Sequence, residues 1–281
     1  MRALFLIPGD AARQLQAMPA VAAVAQQLSA QVQVVCSAAV APCWGLLPAA
    51  EKVIPFDFAA ANLADWTNLL GSVREPDFQL CINLAQGRQV DLMLSMSHIP
   101  TRVASGGFSA TETVTLPQAG WPAQALDVFL KPIGVELAAA EARLSLPRSE
   151  VDAAAAAALP QGDGPLLLLA PSGAPNDWPA QQWQQLPGLI SQRLANLRAH
   201  TLSGAGAASI RQRALLLAAS DVVLASDPVT VELALLLGLP LVALGRPAAS
   251  LPARQGVQGL AEPGELANLE QARVLTALGF A

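Results

Sequence analysis

The sequence predicts an α/β protein with two doubly wound parallel sheets in two Rossmann-like domains that face a cleft. Three observations carry this. The first half alternates short apolar runs with helical segments. A stretch rich in Pro, Gly and Ala, residues 147–165, breaks the alternation. The alternation then resumes at Leu166 and runs to Pro247. Alternating strand and helix is the mark of βαβ units and hence of a parallel sheet.

The elements follow in order. Arg2 opens the first strand, RALFLI. Residues 11–28 read as a helix, because Leu15, Met18, Val21, Val24 and Leu28 recur three or four apart. QVQVVC has the period-two alternation of a strand, and EKVIPFD is a short third strand running into a turn. Residues 63–74 read as a helix, FQLCINL as a buried strand, residues 89–96 as a further helix and TRVAS as the strand after it. In the break, six alanines (153–158) favour helix while the flanking Pro and Gly favour a linker. The domains are therefore expected at 1–148 and 166–281, with 149–165 as linker. Strand LLLLA, a helix around Trp183, a strand near 198–202 and a helix over 210–219 follow.

The segment Asp221–Pro247, DVVLASDPVTVELALLLGLPLVALGRP, is the most informative. DVVLA is a buried strand. Asp227 stands at a helix N-cap and Pro228 at the first helical position. Gly238 and Pro240 end that helix, and LVAL is the next strand. A strand feeding a helix puts unpaired N–H groups and the positive helix pole at the sheet's carboxyl edge, where nucleotide phosphates bind in open α/β folds.

Composition narrows the classes. The chain has 281 residues, 53% hydrophobic and 13% charged, enough apolar material to build cores and too much for global disorder. No apolar run reaches the ~18–20 residues of a membrane span. The first residues, MRALFLIPGD, read as strand rather than signal peptide. The net charge is −5 with no Lys/Arg cluster, which argues against nucleic-acid binding. Cys36, Cys43 and Cys81 lack CxxC spacing, and His98 and His200 are isolated, so no metal centre is expected. After Ser203, Gly204 and Gly206 followed by Ser209 approximate G-x-G-x-x-S. A dinucleotide fingerprint would need a third Gly or Ala and would sit in the first βα turn of its domain.

The order of elements resembles glycosyltransferase family 9, the ADP-heptose:lipopolysaccharide heptosyltransferases, in a divergent form shortened by one βα unit. Three stretches carry the likeness: PGDAARQLQAMPAV, LAPSGAPNDWPAQQWQQL and SDPVTVELALLLGLPLVALGRP. The resemblance implies the GT-B fold and inverting transfer from a nucleotide diphosphate sugar, an ADP-sugar first of all, to a glycan or lipid-linked acceptor. It implies no metal or cofactor. It implies a cytoplasmic protein, transiently at the inner membrane face where lipid-linked acceptors lie.

It also assigns roles. Asp10 would be the general base, or else the cap of the first helix. Gly9, Arg13, Ser172, Gly173, Asn176, Ser203, Gly204, Asp227, Pro228, Val229, Thr230, Val231 and Glu232 would contact substrate, Thr230 through its hydroxyl. Three residues depart from the family pattern. Arg13 stands where the family has its Asp base, Asn176 where it has a phosphate-binding Lys, and Glu232 where it has His. A glutamate beside a phosphate at ~4 Å and an effective dielectric near 20 would cost of order 4 kcal/mol. Arg13, Arg211 and Arg246 are the cations expected to offset a diphosphate. A binding or scaffold protein without catalysis is the alternative. A sugar-nucleotide epimerase is disfavoured by the few acid/base residues near these loops.

Overall fold

The computed structural model describes residues 1–75, 77–202 and 209–280. The chain divides into two compact units, Met1–Ala142 and Arg143–Ala281.

The first unit runs β1 (Arg2–Leu6), α1 (Ala11–Gln27), β2 (Gln31–Cys36), β3 (Ala50–Pro55), α2 (Leu63–Arg74), β4 (Leu80–Asn83), α3 (Arg88–Met96), β5 (Thr101–Ala104) and β6 (Glu112–Thr113). Two short helices follow, α4 (Pro122–Ala125) and α5 (Asp127–Leu130). The strands pair in the order β3-β2-β1-β4-β5-β6, all parallel. This is the doubly wound order, and the winding reverses between β1 and β4. Leu15, Met18, Val21 and Val24 are buried, as their spacing in α1 requires. On the other face of the sheet, α2 and α3 cover Leu4, Leu6 and Cys81 with Leu69, Val73, Val90 and Leu94.

The turn from β1 into α1 is held by one buried amide. Gln14 is fully buried; its Nε2 donates to the Ile7 carbonyl at 3.1 Å, and its Oε1 accepts from Trp44 Nε1 at 3.1 Å. Gly9, at φ +105, makes the bend that a Cβ would strain. Asp10 then starts the helix.

The second unit runs α6 (Arg148–Ala158), β7 (Leu166–Ala170), α7 (Ala180–Ser191), β8 (Arg198–Thr201), α8 (Ile210–Ala218), β9 (Val222–Ala225), α9 (Pro228–Leu237), β10 (Leu241–Leu244), β11 (Val257–Leu260) and α10 (Gln271–Ala277). Its sheet is parallel in the order β11-β10-β9-β7-β8, with the reversal between β7 and β9. Leu167, Leu169, Leu224, Val242 and Leu244 pack against Trp183, Leu186 and Ile190 of α7.

The stretch 149–165 differs from a linker. Most of it is α6, which packs against α8 and ties to it through Glu150 and Arg211. Helix propensity over the alanine run prevails over the Pro and Gly at its ends. β6, α4, α5, β11 and α10 have no counterpart among the expected elements.

Replacing Gln14 by Leu should leave the Ile7 carbonyl and the Trp44 N–H buried and unsatisfied, at about 1–3 kcal/mol each. Urea unfolding followed by Trp fluorescence should show a lower midpoint. An unchanged midpoint would mean that this amide does not hold the turn.

Candidate functional site

In the second unit the carboxyl ends of β7 and β9 meet at the switch point, and residues of both loops are stitched together. Ser172 N–H donates to Ser226 Oγ at 2.9 Å, and the Ser226 and Asp227 N–H groups both donate to the Ala170 carbonyl. Asp227 caps α9 as expected. Its Oδ2 accepts the Thr230 N–H at 2.8 Å and the Thr230 hydroxyl at 2.6 Å. It also accepts Arg213 Nη1 from α8 at 2.8 Å, and the same Nη1 donates to Thr230 Oγ1 at 2.7 Å. Asp227, Arg213 and Thr230 are all buried, Thr230 completely.

This network revises the expected roles. The Thr230 hydroxyl points into the Asp227–Arg213 cluster rather than toward a ligand position. Pro228 has no N–H, the Thr230 N–H is taken by the cap, and the Val231 N–H bonds the Asp227 carbonyl. Among the described residues, the Val229 amide is the first-turn donor left without a protein acceptor. Val231 lies in the core. Glu232 is buried and paired with Arg246, Nη1 to Oε1 at 3.1 Å, so its charge is compensated rather than aimed at a phosphate. Arg246 also holds Ser250. Arg211 is bound by both oxygens of Glu150. Two of the three cations expected to face a diphosphate are thus committed to carboxylates.

The β7–α7 loop, 171–179, wraps around a carboxylate of its own. Asp177 accepts the Gly173 N–H at 3.1 Å and the Trp178 N–H at 2.7 Å, with Gly173 at φ +70. Asn176 is exposed, and its amide reaches the Pro263 carbonyl at 3.4 Å, at the long limit of a hydrogen bond. Trp178 and Trp183 are a buried edge-to-face pair at 5.3 Å, and Trp178 Nε1 donates to the Leu269 carbonyl. They are core, not a stacking platform. A hollow of about 430 Å³ lies beside this loop, reaching Gln184 and Thr201. Ser203 and Gly204 lie outside the described residues.

In the first unit, Asp10 caps α1: its Oδ1 accepts the Arg13 N–H at 3.0 Å. The carboxylate is exposed at the carboxyl edge of β1, and its second oxygen has no partner among the described residues. A cavity of about 250 Å³ is lined by Arg13 of α1, Leu84 and Gln86 after β4, Ser105 after β5 and, from the segment that follows, Gln118 and Phe129. Arg13 is exposed and forms no ion pair among the described residues.

The thiols are inert structural groups. Burial pushes Cys36 and Cys43 up to about 11 and Cys81 up to about 12, so neutral thiols dominate at pH 7. Burial also lowers the His200 pKa. Among the described residues, no three His, Cys, Asp or Glu side chains converge as metal ligands, and no helix is long and apolar enough to cross a membrane.

Known structures share this arrangement over its whole length. A glycosyl transferase family 9 protein from Veillonella parvula superposes with a TM-score of 0.79 at 14% identity, covering 99% of this chain and 96% of that one. E. coli ADP-heptose LPS heptosyltransferase II follows at 0.75 and 17%, covering 99% and 98%. E. coli heptosyltransferase WaaC with ADP-2-deoxy-2-fluoro heptose stands at 0.71 and 15%, covering 99% of both chains. The chain has the fold of the family 9 glycosyltransferases. No family model matches the sequence, and no curated protein matches it by sequence. Within this fold, the residues that sequence reasoning missed are Arg213 and Gln14. Arg213 stands in a helical run, IRQRALLLA, where two arginines look equally like surface charges.

Arg213→Met should strand the buried Asp227 carboxylate and cost about 3–5 kcal/mol. The double variant Arg213→Met/Asp227→Asn should lose clearly less than the sum of its singles. Strict additivity in chemical denaturation would show that the two side chains act separately.

Proposed function

We propose that this protein is an inverting glycosyltransferase that moves a sugar, heptose-like, from a nucleotide diphosphate donor to a glycan or lipid-linked acceptor. The observation that carries the reading is the full-length likeness to two heptosyltransferases, one of them with an ADP-sugar analogue. The site geometry is compatible with it. In each unit the candidate residues stand at the carboxyl edge beside a switch point, where open α/β sheets take ligands.

The chemistry follows from the parts. The acceptor hydroxyl attacks the anomeric carbon. Its proton goes to the free oxygen of Asp10, and the bond to the leaving phosphate oxygen breaks with its electron pair. Capping uses one Asp10 oxygen and leaves the other available, so the two roles are compatible. In the second unit the Val229 amide and the α9 dipole would face the diphosphate. Ser172, Gly173 and Asn176 stand on the adjoining loop. A lipid-linked acceptor would place the protein at the inner face of a membrane.

Calorimetric titration with ADP, UDP and GDP, then with ADP-heptose, tests the donor half. Micromolar binding of one nucleotide is expected. No binding by folded protein would favour a non-catalytic binding or scaffold protein instead. Asn176→Lys supplies a cation at an exposed position whose present hydrogen bond is long, and should tighten nucleotide binding about tenfold, 1.4 kcal/mol. Asp10→Asn should abolish transfer with donor affinity nearly intact; unchanged turnover would remove Asp10 from the mechanism.

A further inference from the structure

We propose that the cavity between the start of α3 and the loop after β5 binds an ammonium group, carried on a ligand about the size of one ring, with Asp91 as its counter-ion. The cavity holds about 300 Å³, the lower end of the ~300–1,000 Å³ typical of ligand pockets, so it suits a small carrier. Gln86 before α3, Val90 and Asp91 on it, and Ser105, Gly106 and Gly107 after β5 line it. All of them belong to the first unit.

The carboxylate is the reason to expect a cation. Among the described residues three carboxylates are buried: Asp91, Asp227 and Glu232. Asp227 holds Arg213 and Glu232 holds Arg246, whereas Asp91, 7% exposed, forms no ion pair. Its Oδ1 accepts the Ser109 hydroxyl at 2.7 Å, and its Oδ2 has no partner among the described residues. Two arginines stand on the flanking elements, and neither pairs with it. Arg88, at the start of α3, is exposed, and Arg102 of β5 donates to the Ile99 and Ser109 carbonyls. A carboxylate taken out of water is costly unless it is paired. The positive pole of α3 and one hydroxyl offset part of that cost, and a ligand cation would supply the missing partner. Gly107 lets the loop lie against the carboxylate. A Cβ there would sit 2.2 Å from Asp91 Oδ1 and 2.5 Å from Oδ2, on a backbone at φ +99. A divalent metal takes several oxygen ligands, and no three acidic or metal-binding side chains converge among the described residues. An ammonium is satisfied by one carboxylate and by neutral acceptors such as Gln86 and Ser105. The site stands on its own geometry and takes nothing from the glycosyltransferase reading.

The test is calorimetric titration of the full chain with glucosamine, ethanolamine, N-acetylglucosamine and ammonium chloride, buffered where the amines are protonated. N-acetylation keeps the ring and removes the charge. At least one of the two amines should bind about tenfold more tightly than N-acetylglucosamine and than ammonium chloride, and more weakly as salt is raised. Asp91→Asn keeps an acceptor for the Ser109 hydroxyl, so it should fold as the parent does while losing about tenfold of the amine binding. Gly107→Ala should weaken that binding as well. Equal binding of N-acetylglucosamine, wild-type amine affinity in folded Asp91→Asn, or no binding by either amine overturns the proposal. Ammonium chloride binding as tightly as the amines overturns the carrier and leaves a bare-ion site in its place.

Discussion

The buried Asp227 carboxylate is the interaction on which the second unit depends. Helix α9 is apolar nearly all round and buried along most of its length, so it has no solvent face to orient it. Its position must come from its ends. At the N-terminus, one carboxylate oxygen takes the Thr230 amide, the Thr230 hydroxyl and Arg213. At the C-terminus, Gly238 in the left-handed region closes the helix, and Arg254 donates to the Leu235 and Leu239 carbonyls. Arg143 lies so close that a Cβ on Gly238 would be 2.7 Å from its Nε. Burial, and the neighbouring positive charge of Arg143, lower the Arg254 pKa. An anion at the positive pole and cations at the negative pole complement the helix dipole at both ends.

That arrangement has a cost for ligand binding. The groups that make a helix N-terminus attractive to phosphate are the ones the protein has used for itself. The first unit solves the equivalent problem differently. There the strand-to-helix turn is fixed from beneath by Gln14 and Trp44, and Asp10 takes one amide while remaining exposed. The turn is held without drawing Arg13 into an ion pair, so the β1 edge keeps its cation.

Local signals decided what was legible in the sequence. β2, α2, β7 and β10 have the bounds their periodicity and flanking residues gave, and Asp227, Pro228 and Gly238 bracket α9 as caps should. The Ala-rich stretch was ambiguous because propensity and Pro/Gly punctuation disagreed, and packing on α8 resolved it. β11, VQGL, is half-exposed, with a glycine that weakens a strand pattern. That Gly259 is required by the fold, since a Cβ would lie 2.1 Å from the Arg246 carbonyl. The site was less legible because its meaning lies in pairings across elements. Arg213 finds Asp227 from a neighbouring helix, and Glu232 finds Arg246 across an intervening strand. No spacing rule announces either partner.

The second pairing changes the electrostatics at Glu232. Glu232 looked repulsive to a diphosphate by about 4 kcal/mol, but Arg246 at 3.1 Å makes the two together close to neutral at a distance. The penalty therefore shrinks, and so does the cation count, because Arg246 cannot serve both. What remains at α9 is one free amide and a dipole worth about 0.3–1 kcal/mol, a small part of the ~8 kcal/mol of a micromolar complex. On the proposed function, donor affinity would then rest more on the nucleoside than on the diphosphate. Among the described residues, Arg211, Arg213 and Arg246 are paired with carboxylates, whereas the Arg13 guanidinium at the start of α1 is unpaired.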